Sequence, residues 1–221
     1  MSKVIEIFKE ITAIPRCSKT HEAFINYMKK ISLDLGYECL VDKYNNILCK
    51  KENSQAKIVF QSHYDIVCLE DNCIPQIIQN DDILSAKNST LGSDNGIGCS
   101  YMINLMYDGV DAEYLFTSDE EIGLIGANNL ELEINAPYML NLDSEEEGEV
   151  CIGCAGGVDI FAVNSNKKIL PNTEKLDLYE ISIAKLQGGH SGVDIDKNIP
   201  NAIKLVAKTI KEANAKLLDF N

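Results

Sequence analysis

The N-terminal part of the chain has apolar residues at intervals of three and four, the spacing of amphipathic helices. Residues 3–14 predict a first helix, which Pro15 ends. A second helix is predicted between Thr20, which can cap it, and Gly36, which stops it. His21 falls in its first turn and is expected to be a solvated polar position. The apolar faces of the two helices carry Val4, Ile5, Phe8, Ile11, Phe24, Met28, Ile31 and Leu35.

Shorter segments with the composition of β-strands follow. Residues 38–41 and 47–50 are joined by turn-forming residues and predict a hairpin. Residues 81–87 are a weaker strand candidate. The strongest patterns, typical of buried strands, are residues 57–61, 112–117 and 138–142.

Each of these buried strands ends in residues that can do chemistry. His63 and Asp65 follow the first strand, Glu120 and Glu121 the second, and Asp143 the third. In an open α/β sheet, ligands bind outside the carboxyl ends of the strands. We therefore expect an α/β fold whose mixed, mostly parallel sheet is flanked by helices and brings these side chains to one edge.

A glycine-rich stretch, residues 89–98, places Asp94 between a loop and the start of an apolar helix. Glycines on both sides of Asp94 let the backbone turn sharply and approach something small, and a cation would fit there. Asn95 can cap the helix. On its own, such a stretch is more often a plain loop with an N-cap than a cation site.

The C-terminal part has weaker patterns. Residues 148–163 alternate apolar segments with glycines and suggest strands with a tight turn. A polar connection up to residue 175 marks a domain boundary, so we expect one domain at 1–175 and the start of another at 176–221. The second contains a strand at 176–186, a glycine-rich loop with His190, and a last helix from Asn201 to about Leu218.

Composition restricts the class of partner. The 221 residues are 45% hydrophobic, as suits a packed core, and the formal net charge is -14, which disfavours nucleic acid and anionic membrane surfaces. No apolar run approaches the roughly 20 residues of a membrane span. The eight cysteines mostly lie in apolar segments and the N-terminus lacks an apolar leader, so we expect a reduced, cytoplasmic protein.

The candidate residues at the strand ends form one type of donor set. His63, Asp94, Asp143 and the two glutamates offer imidazole and carboxylate ligands, which suit a divalent transition metal. One bridging carboxylate can hold two metals about 3.5 to 4 Å apart, and Asp94 is the best candidate for it. Asp65 can fix the imidazole ring from behind. Each acid alone is more often a solvated loop end, and His190 can equally be an exposed loop residue.

Five motifs together resemble a known family. Their order is that of the bacterial aminoacyl-histidine dipeptidases, which are similar to the carboxypeptidase-G-like co-catalytic zinc peptidases. The resemblance covers nearly the whole chain. The motifs are His63-Tyr64-Asp65, Leu91-Gly92-Ser93-Asp94-Asn95-Gly96, Asp119-Glu120-Glu121-Ile122-Gly123, Asn141-Leu142-Asp143-Ser144-Glu145 and Gly188-Gly189-His190-Ser191-Gly192.

The resemblance implies a role for each site residue. His63, Asp94 and Asp143 would bind one zinc ion, and Asp94 with Glu121 the other. Glu120 would act as general base, deprotonating the water that attacks a dipeptide of the Xaa-His type. His190 would steady the substrate carbonyl oxygen from an α+β lid domain, often in the site of a dimer partner. A cis peptide bond after Asp94 is also implied.

The chain departs from that family in its histidines. Family members are longer and supply a last histidine ligand after the lid, whereas this chain has only His21, His63 and His190. The resemblance therefore implies a second metal position that lacks one ligand, in a catalytic domain without its C-terminal part. A non-catalytic metal-binding or interaction homologue is the alternative. A calcium module at Asp81, Asp82 and residues 145–147 ranks last, because the spacing lacks a regular oxygen-ligand loop.

Overall fold

The computed structural model describes residues 2–69, 74–87, 89–144, 148–153, 179–188 and 196–214. The chain divides into two units, Met1–Glu147 and Gly148–Asn221. The boundary predicted near residue 175 lies outside the described residues, as does the loop segment that carries His190. No helix of the described part is long and apolar enough to cross a membrane.

A five-stranded sheet forms the centre of the first unit. Its strands, in chain order, are β1 (Glu38–Val41), β2 (Ile47–Lys50), β3 (Ile58–His63), β6 (Glu113–Thr117) and β7 (Tyr138–Asn141), and they lie side by side in the order β1-β2-β6-β3-β7. The β1–β2 and β2–β6 pairs are antiparallel, and β3 runs parallel to both β6 and β7. The predicted mixed sheet is therefore confirmed.

Burial differs sharply between the strands. All five residues of β6 are buried, whereas all four residues of β7 are exposed at the sheet edge, including Tyr138 and Met139, so the burial predicted for this strand is wrong. The parallel register pairs His63 with Thr117 and Gln61 with Asn141. Because β3, β6 and β7 run in the same direction, their carboxyl ends meet at one edge.

Helices cover one face of the sheet. α1 (Lys3–Thr12), α2 (Glu22–Leu35) and α3 (Ser93–Tyr107) pack on it through a continuous apolar cluster. In α1, Ile7 is buried and Ile5 is only half-buried, so the apolar face is turned slightly from the predicted one. Gly36 ends α2 in the left-handed conformation, as its position predicts.

The other face is covered by an irregular segment rather than by long helices. Leu130, Leu132 and Ile134 pack there against a smaller cluster of Leu48, Val59 and Leu115. The short helix α4 (Ile125–Asn128) precedes this segment. Neither element is predicted by the sequence, because four helical residues and isolated apolar side chains have no readable period.

A separate two-stranded hairpin confirms one predicted strand and adds another. The weak strand at 81–87 is β5 (Ile83–Lys87), and it pairs antiparallel with β4 (Gln76–Asn80), which was not predicted. β4 is mostly exposed, and its two apolar residues, Ile77 and Ile78, are adjacent, so it lacks the alternation on which strand prediction depends.

The second unit has one described helix, α5 (Ala202–Glu212), and the Asn201 side chain caps it by accepting a hydrogen bond from the Lys204 N–H at 3.0 Å. The helix ends earlier than predicted, and Leu217 lies outside the described residues. The described parts of the other predicted strands, residues 148–153 and 179–186, contain no strand. A strand requires hydrogen bonds to a neighbour, and no described segment pairs with either part.

Cys17 and Cys68 form a disulfide with a Cα–Cα distance of 5.6 Å. The expectation of a fully reduced chain is therefore wrong for this pair. The two residues are 51 positions apart in sequence, so no local sequence pattern predicts that they meet.

Candidate metal centre

Three strand ends deliver the candidate ligands to one place. His63 is the last residue of β3, Glu120 and Glu121 follow β6, and Asp143 follows β7. Asp94 comes from the start of α3, which packs against β3. The sheet edge and the helix start together explain why residues up to 80 positions apart can share one site.

His63 lies at the centre of this group. Its Nε2 atom is 3.1 Å from Asp94 Oδ1, 3.7 Å from Asp143 Oδ2 and 3.9 Å from Glu120 Oε2. The imidazole is buried, with a side-chain exposure of 2%, whereas the Asp94 side chain is 62% exposed. The site therefore has a rigid inner ligand and carboxylates that solvent and substrate can reach.

The structure forms two groups of possible ligands, each with atoms within 4.8 Å of one another. One is His63, Asp94 and Asp143, and the other is His63, Glu120 and Glu121. The first group equals the ligand set that the resemblance implies for one metal. In the second, Glu121 is grouped with His63 and Glu120 rather than with Asp94.

Asp65 is the buried support of the site. Its carboxylate is fully buried and accepts hydrogen bonds from the Glu120 N–H at 3.0 Å, the Glu121 N–H at 3.3 Å and Ser18 Oγ at 2.8 Å. Burial opposes its ionisation most strongly, but the hydrogen bonds from His63, Glu120 and Ser18 outweigh burial and lower the pKa of Asp65. One carboxylate thus positions the backbone of both glutamates.

The ring of His63 is oriented by the same residue. Its Nδ1 is 3.0 Å from the carbonyl oxygen of Asp65 and 3.5 Å from the Asp65 carboxylate. A carbonyl only accepts, so Nδ1 carries a proton and Nε2 faces the acids. Burial alone would lower the pKa of His63, but the hydrogen bond and charge of Asp65, together with the charge of Asp143 and a hydrogen bond with Asp94, raise it to about 9.

The carboxylates repel one another. Burial raises the pKa of Asp143 to about 6. The charges of Asp94 and Glu120 act in the same direction, and the positive charge of His63 acts against them. The pKa of Glu121 is raised for the same reasons, with burial first, then Glu120 and Asp94. A divalent cation would relieve this repulsion, and imidazole nitrogen with carboxylate oxygens is the donor set that divalent transition metals bind. The described residues therefore fit a metal ion.

The loop that holds Asp94 forms the N-terminus of a helix. The peptide bond between Asp94 and Asn95 is cis, as the resemblance implies, and both residues have non-helical backbone angles. Asn95 Oδ1 accepts a hydrogen bond from the Gly98 N–H at 3.1 Å, so Asn95 caps the helix as predicted. Ser62 Oγ donates to the Asn95 carbonyl at 3.1 Å and ties this loop to β3.

The group that approaches the glycines of this loop is a side chain. The guanidinium of Arg16 lies against Gly92 and Gly96, where an added Cβ would come within 2.8 Å and 2.5 Å of its Nη2 atom. The sequence predicts that the backbone here comes close to something small, and the group that approaches Gly92 and Gly96 is the Arg16 guanidinium. Sequence reasoning missed Arg16, although it is the only arginine among 20 basic residues.

His21 corrects another expectation. Its side chain is only 11% exposed, and its Nε2 is 3.3 Å from Asp119 Oδ2 while its Nδ1 is 2.9 Å from the hydroxyl of buried Tyr64. The Lys19 N–H also donates to Asp119 at 2.7 Å. A polar residue at a helix start is usually solvated, but here the neighbouring β6 loop folds over it. His21 and Asp119 thus hold the 17–21 segment against the loop that carries Glu120.

Of the predicted site residues, His63, Asp65, Asp94, Glu120, Glu121 and Asp143 lie together in the structure. His190 lies outside the described residues.

Comparison with known proteins finds peptidases that are similar to the chain. No protein-family model matches it. It is 30% identical to the cytosol non-specific dipeptidase of Escherichia coli, over 98% of the chain and 49% of that protein. The crystal structure of aminoacylhistidine dipeptidase from Vibrio alginolyticus matches with a TM-score of 0.63 and 29% identity, covering 95% of the chain and 46% of that protein.

A tripeptidase from Staphylococcus aureus has the same fold, with a TM-score of 0.58 at 21% identity over 65% of the chain and 43% of that protein. The chain spans about half the length of the curated relatives it matches. The resemblance to aminoacyl-histidine dipeptidases that the motifs indicate is thus confirmed, both in sequence and in fold.

Proposed function

We propose that the chain is a metal-dependent peptidase that hydrolyses small peptides, with dipeptides of the Xaa-His type as substrates. The observation that carries the proposal is the group of His63, Asp94 and Asp143, whose ligand atoms lie within 4.8 Å of one another at the sheet edge. The names of the relatives support hydrolysis of dipeptides. They differ in specificity, one being non-specific and one acting on aminoacyl-histidine, so the Xaa-His preference rests on the likeness to the second.

Two divalent cations, zinc by resemblance, would be held by these residues. His63, Asp94 and Asp143 would bind one, and Asp94 with Glu121 the other. When bound, such cations act as Lewis acids that polarise a peptide carbonyl and lower the pKa of water.

Glu120 would perform the proton transfers. Its side chain is 32% exposed and lies 3.9 Å from His63 Nε2, within reach of both solvent and ligand groups. Its backbone is fixed by Asp65, which leaves the carboxylate free to turn toward a substrate. Glu120 would take a proton from the attacking water and give it to the leaving amine. Asp65 would keep the His63 ring oriented through both steps.

Several further properties follow from the resemblance and belong to the same proposal. The protein would act in the cytoplasm, as the name of the Escherichia coli relative suggests. Residues 1–175 would form the catalytic domain and 176–221 the start of a lid. His190 of the lid would steady the substrate carbonyl, and a full-length form would dimerise through that domain.

The alternative is a homologue that binds metal without hydrolysis. It is favoured by one observation, that His63 is the only imidazole in the ligand groups of the described residues. A metal position held by carboxylates alone binds a transition metal less selectively.

Metal analysis and activity measured on the same purified chain separate the two. We expect bound zinc after incubation with Zn²⁺ and dialysis, and cleavage of an Xaa-His dipeptide faster than of its Xaa-Ala counterpart. Bound metal without cleavage of either peptide would favour the alternative. Absence of tight metal binding would refute both, and His63→Ala is the control that should lose the metal.

A further inference from the structure

Arg16 is a deeply buried cationic side chain beside the metal centre. It follows the end of α1 and Pro15, in the short connection to α2, and its relative exposure is 1%. No carboxylate of the described residues forms an ion pair with it. Burial lowers the pKa of Arg16, and the charges of Cys99 and Asp65 oppose that change. A buried cation without a direct counter-ion is costly, so its hydrogen bonds must compensate.

Those hydrogen bonds go to the two loops that carry the candidate ligands. Nη1 donates to the carbonyl of Tyr64 at 2.9 Å, and Nη2 donates to the carbonyl of Gly92 at 2.7 Å. Tyr64 lies between His63 and Asp65, and Gly92 lies two residues before Asp94. The guanidinium is planar and rigid, so it fixes the spacing of the two carbonyls it binds.

The backbone of Arg16 joins the same arrangement. Its carbonyl accepts a hydrogen bond from the Ile66 N–H at 3.0 Å, so residue 16 binds the His63 loop on both sides of Asp65. On the other side, Gly92 and Gly96 leave the space that the guanidinium fills, and Ile66 and Phe8 close the rest of it. We call this space, lined by Gly92, Gly96, Ile66 and Phe8, the arginine socket.

We propose that Arg16 is a positioning residue of the metal centre: its guanidinium clamps the His63 loop to the Asp94 loop and thereby sets the separation of the two ligands, now 3.1 Å between Nε2 and Oδ1. The inference rests on the proposed metal site. Residues that orient metal ligands from behind typically change metal affinity 10- to 100-fold when they are removed.

Arg16→Lys is the first test, because lysine keeps the charge but can reach only one of the two carbonyls in a planar geometry. Hydrogen exchange of the metal-free chain should show faster exchange at residues 63–66 and 92–98, and little change in β1 and β2. Unchanged exchange in both loops would overturn the clamp, whatever the metal does.

Metal binding is the second readout. For Arg16→Lys we expect the Kd for Co²⁺ to rise about 10- to 100-fold, with an altered visible absorption spectrum of the bound ion. Wild-type affinity and spectrum in the variant would overturn the proposal. If the wild-type chain itself binds no Co²⁺ or Zn²⁺, the proposed metal site fails, and the positioning role fails with it even when the exchange result supports a clamp.

Gly96→Ala provides a second variant that leaves Arg16 in place. Its Cβ would enter the arginine socket 2.5 Å from Nη2 and displace the guanidinium. We expect the same change in Co²⁺ affinity. Combining Gly96→Ala with Arg16→Lys should cause no additional loss, because both substitutions disrupt the same guanidinium contact. Ile103→Val, a core change in α3 remote from the socket, controls for general destabilisation. An equal loss of affinity in that control would overturn the proposal.

Discussion

The Nδ1 atom of His63 lies 3.0 Å from the carbonyl oxygen of Asp65, so the opposite nitrogen, Nε2, is the one presented to Asp94. Nε2 lies 3.1 Å from an acceptor, and the pKa of His63 is raised to about 9. In the metal-free protein at neutral pH, the ring is therefore an imidazolium that a metal ion must deprotonate.

The first prediction concerns this proton. Binding of Zn²⁺ at pH 7.5 should release about one proton, because the metal takes the lone pair that the proton occupies. Affinity should rise with pH up to about 9 and then level off, and below about pH 6 protonation of Asp143 should weaken it further. Calorimetry in buffers of different ionisation enthalpy measures the proton count, and zero protons at pH 7.5 would contradict the assignment.

The second prediction concerns Glu120. If it is the general base, Glu120→Gln should lower kcat about 100- to 10,000-fold and leave the zinc content unchanged. The amide has nearly the shape of the acid but cannot accept the proton. Steady-state kinetics and metal analysis on the same sample measure both effects. Retained turnover would show that another group accepts the proton.

The third prediction concerns Asp65. Asp65→Asn should cost about 1–3 kcal/mol of unfolding free energy, because an amide group would face donors that now bind a carboxylate. Metal affinity should fall as well, since the Glu120 N–H loses a carboxylate acceptor and the ring of His63 loses the negative charge 3.5 Å from Nδ1. Urea unfolding and metal titration measure the two effects.

Glu113 offers a matched control for Asp65. It is also a buried carboxylate, and it accepts hydrogen bonds from the Asn135 and Ala136 N–H groups far from the ligand cluster. Glu113→Gln should lower stability to a similar degree without changing metal affinity. If both variants lose metal equally, the effect of Asp65→Asn is a general loss of stability.

The fourth prediction concerns the disulfide between Cys17 and Cys68. Closing a loop with a sequence separation of 51 restricts the unfolded chain, and the entropy model gives about 4 kcal/mol for a loop of this length. The double variant Cys17→Ser with Cys68→Ser should therefore unfold at lower urea concentration. A reducing agent should shift the wild type to the same midpoint, and should not shift the double variant. If the oxidised wild type and the double variant had the same urea unfolding midpoint, the disulfide would not stabilise the fold.

The fifth prediction concerns Cys39, which pairs with Cys49 across the β1–β2 hairpin. A hydrogen bond from Cys49 is the main cause that lowers the pKa of Cys39 to about 7. Its alkylation by iodoacetamide should accelerate through pH 7, as mapped by mass spectrometry. Cys49→Ala removes the donor and should move the midpoint toward 8.5, the usual value for a free thiol. The same midpoint in both proteins would contradict this cause.

The parts of the fold that the sequence predicts are those with a local period. The three apolar strand segments and the two amphipathic helices have one, and the rule that ligands gather at carboxyl strand ends then brings His63, Glu120 and Asp143 together. β4 and α4 have no such period. The burial of Arg16 and His21 depends on residues 43 to 98 positions away in sequence, so the local sequence around each of them gives no sign of it.

The arginine socket also constrains how positions 16 and 96 can vary among related sequences. A Cβ at 96 would lie 2.5 Å from Nη2 of Arg16 and 3.0 Å from the ring of Phe8, so a side chain fits at 96 only if these neighbours change with it. Lineages that carry alanine or serine at 96 should show a shorter, uncharged residue at 16, and the covariation of these columns would record the contact across species.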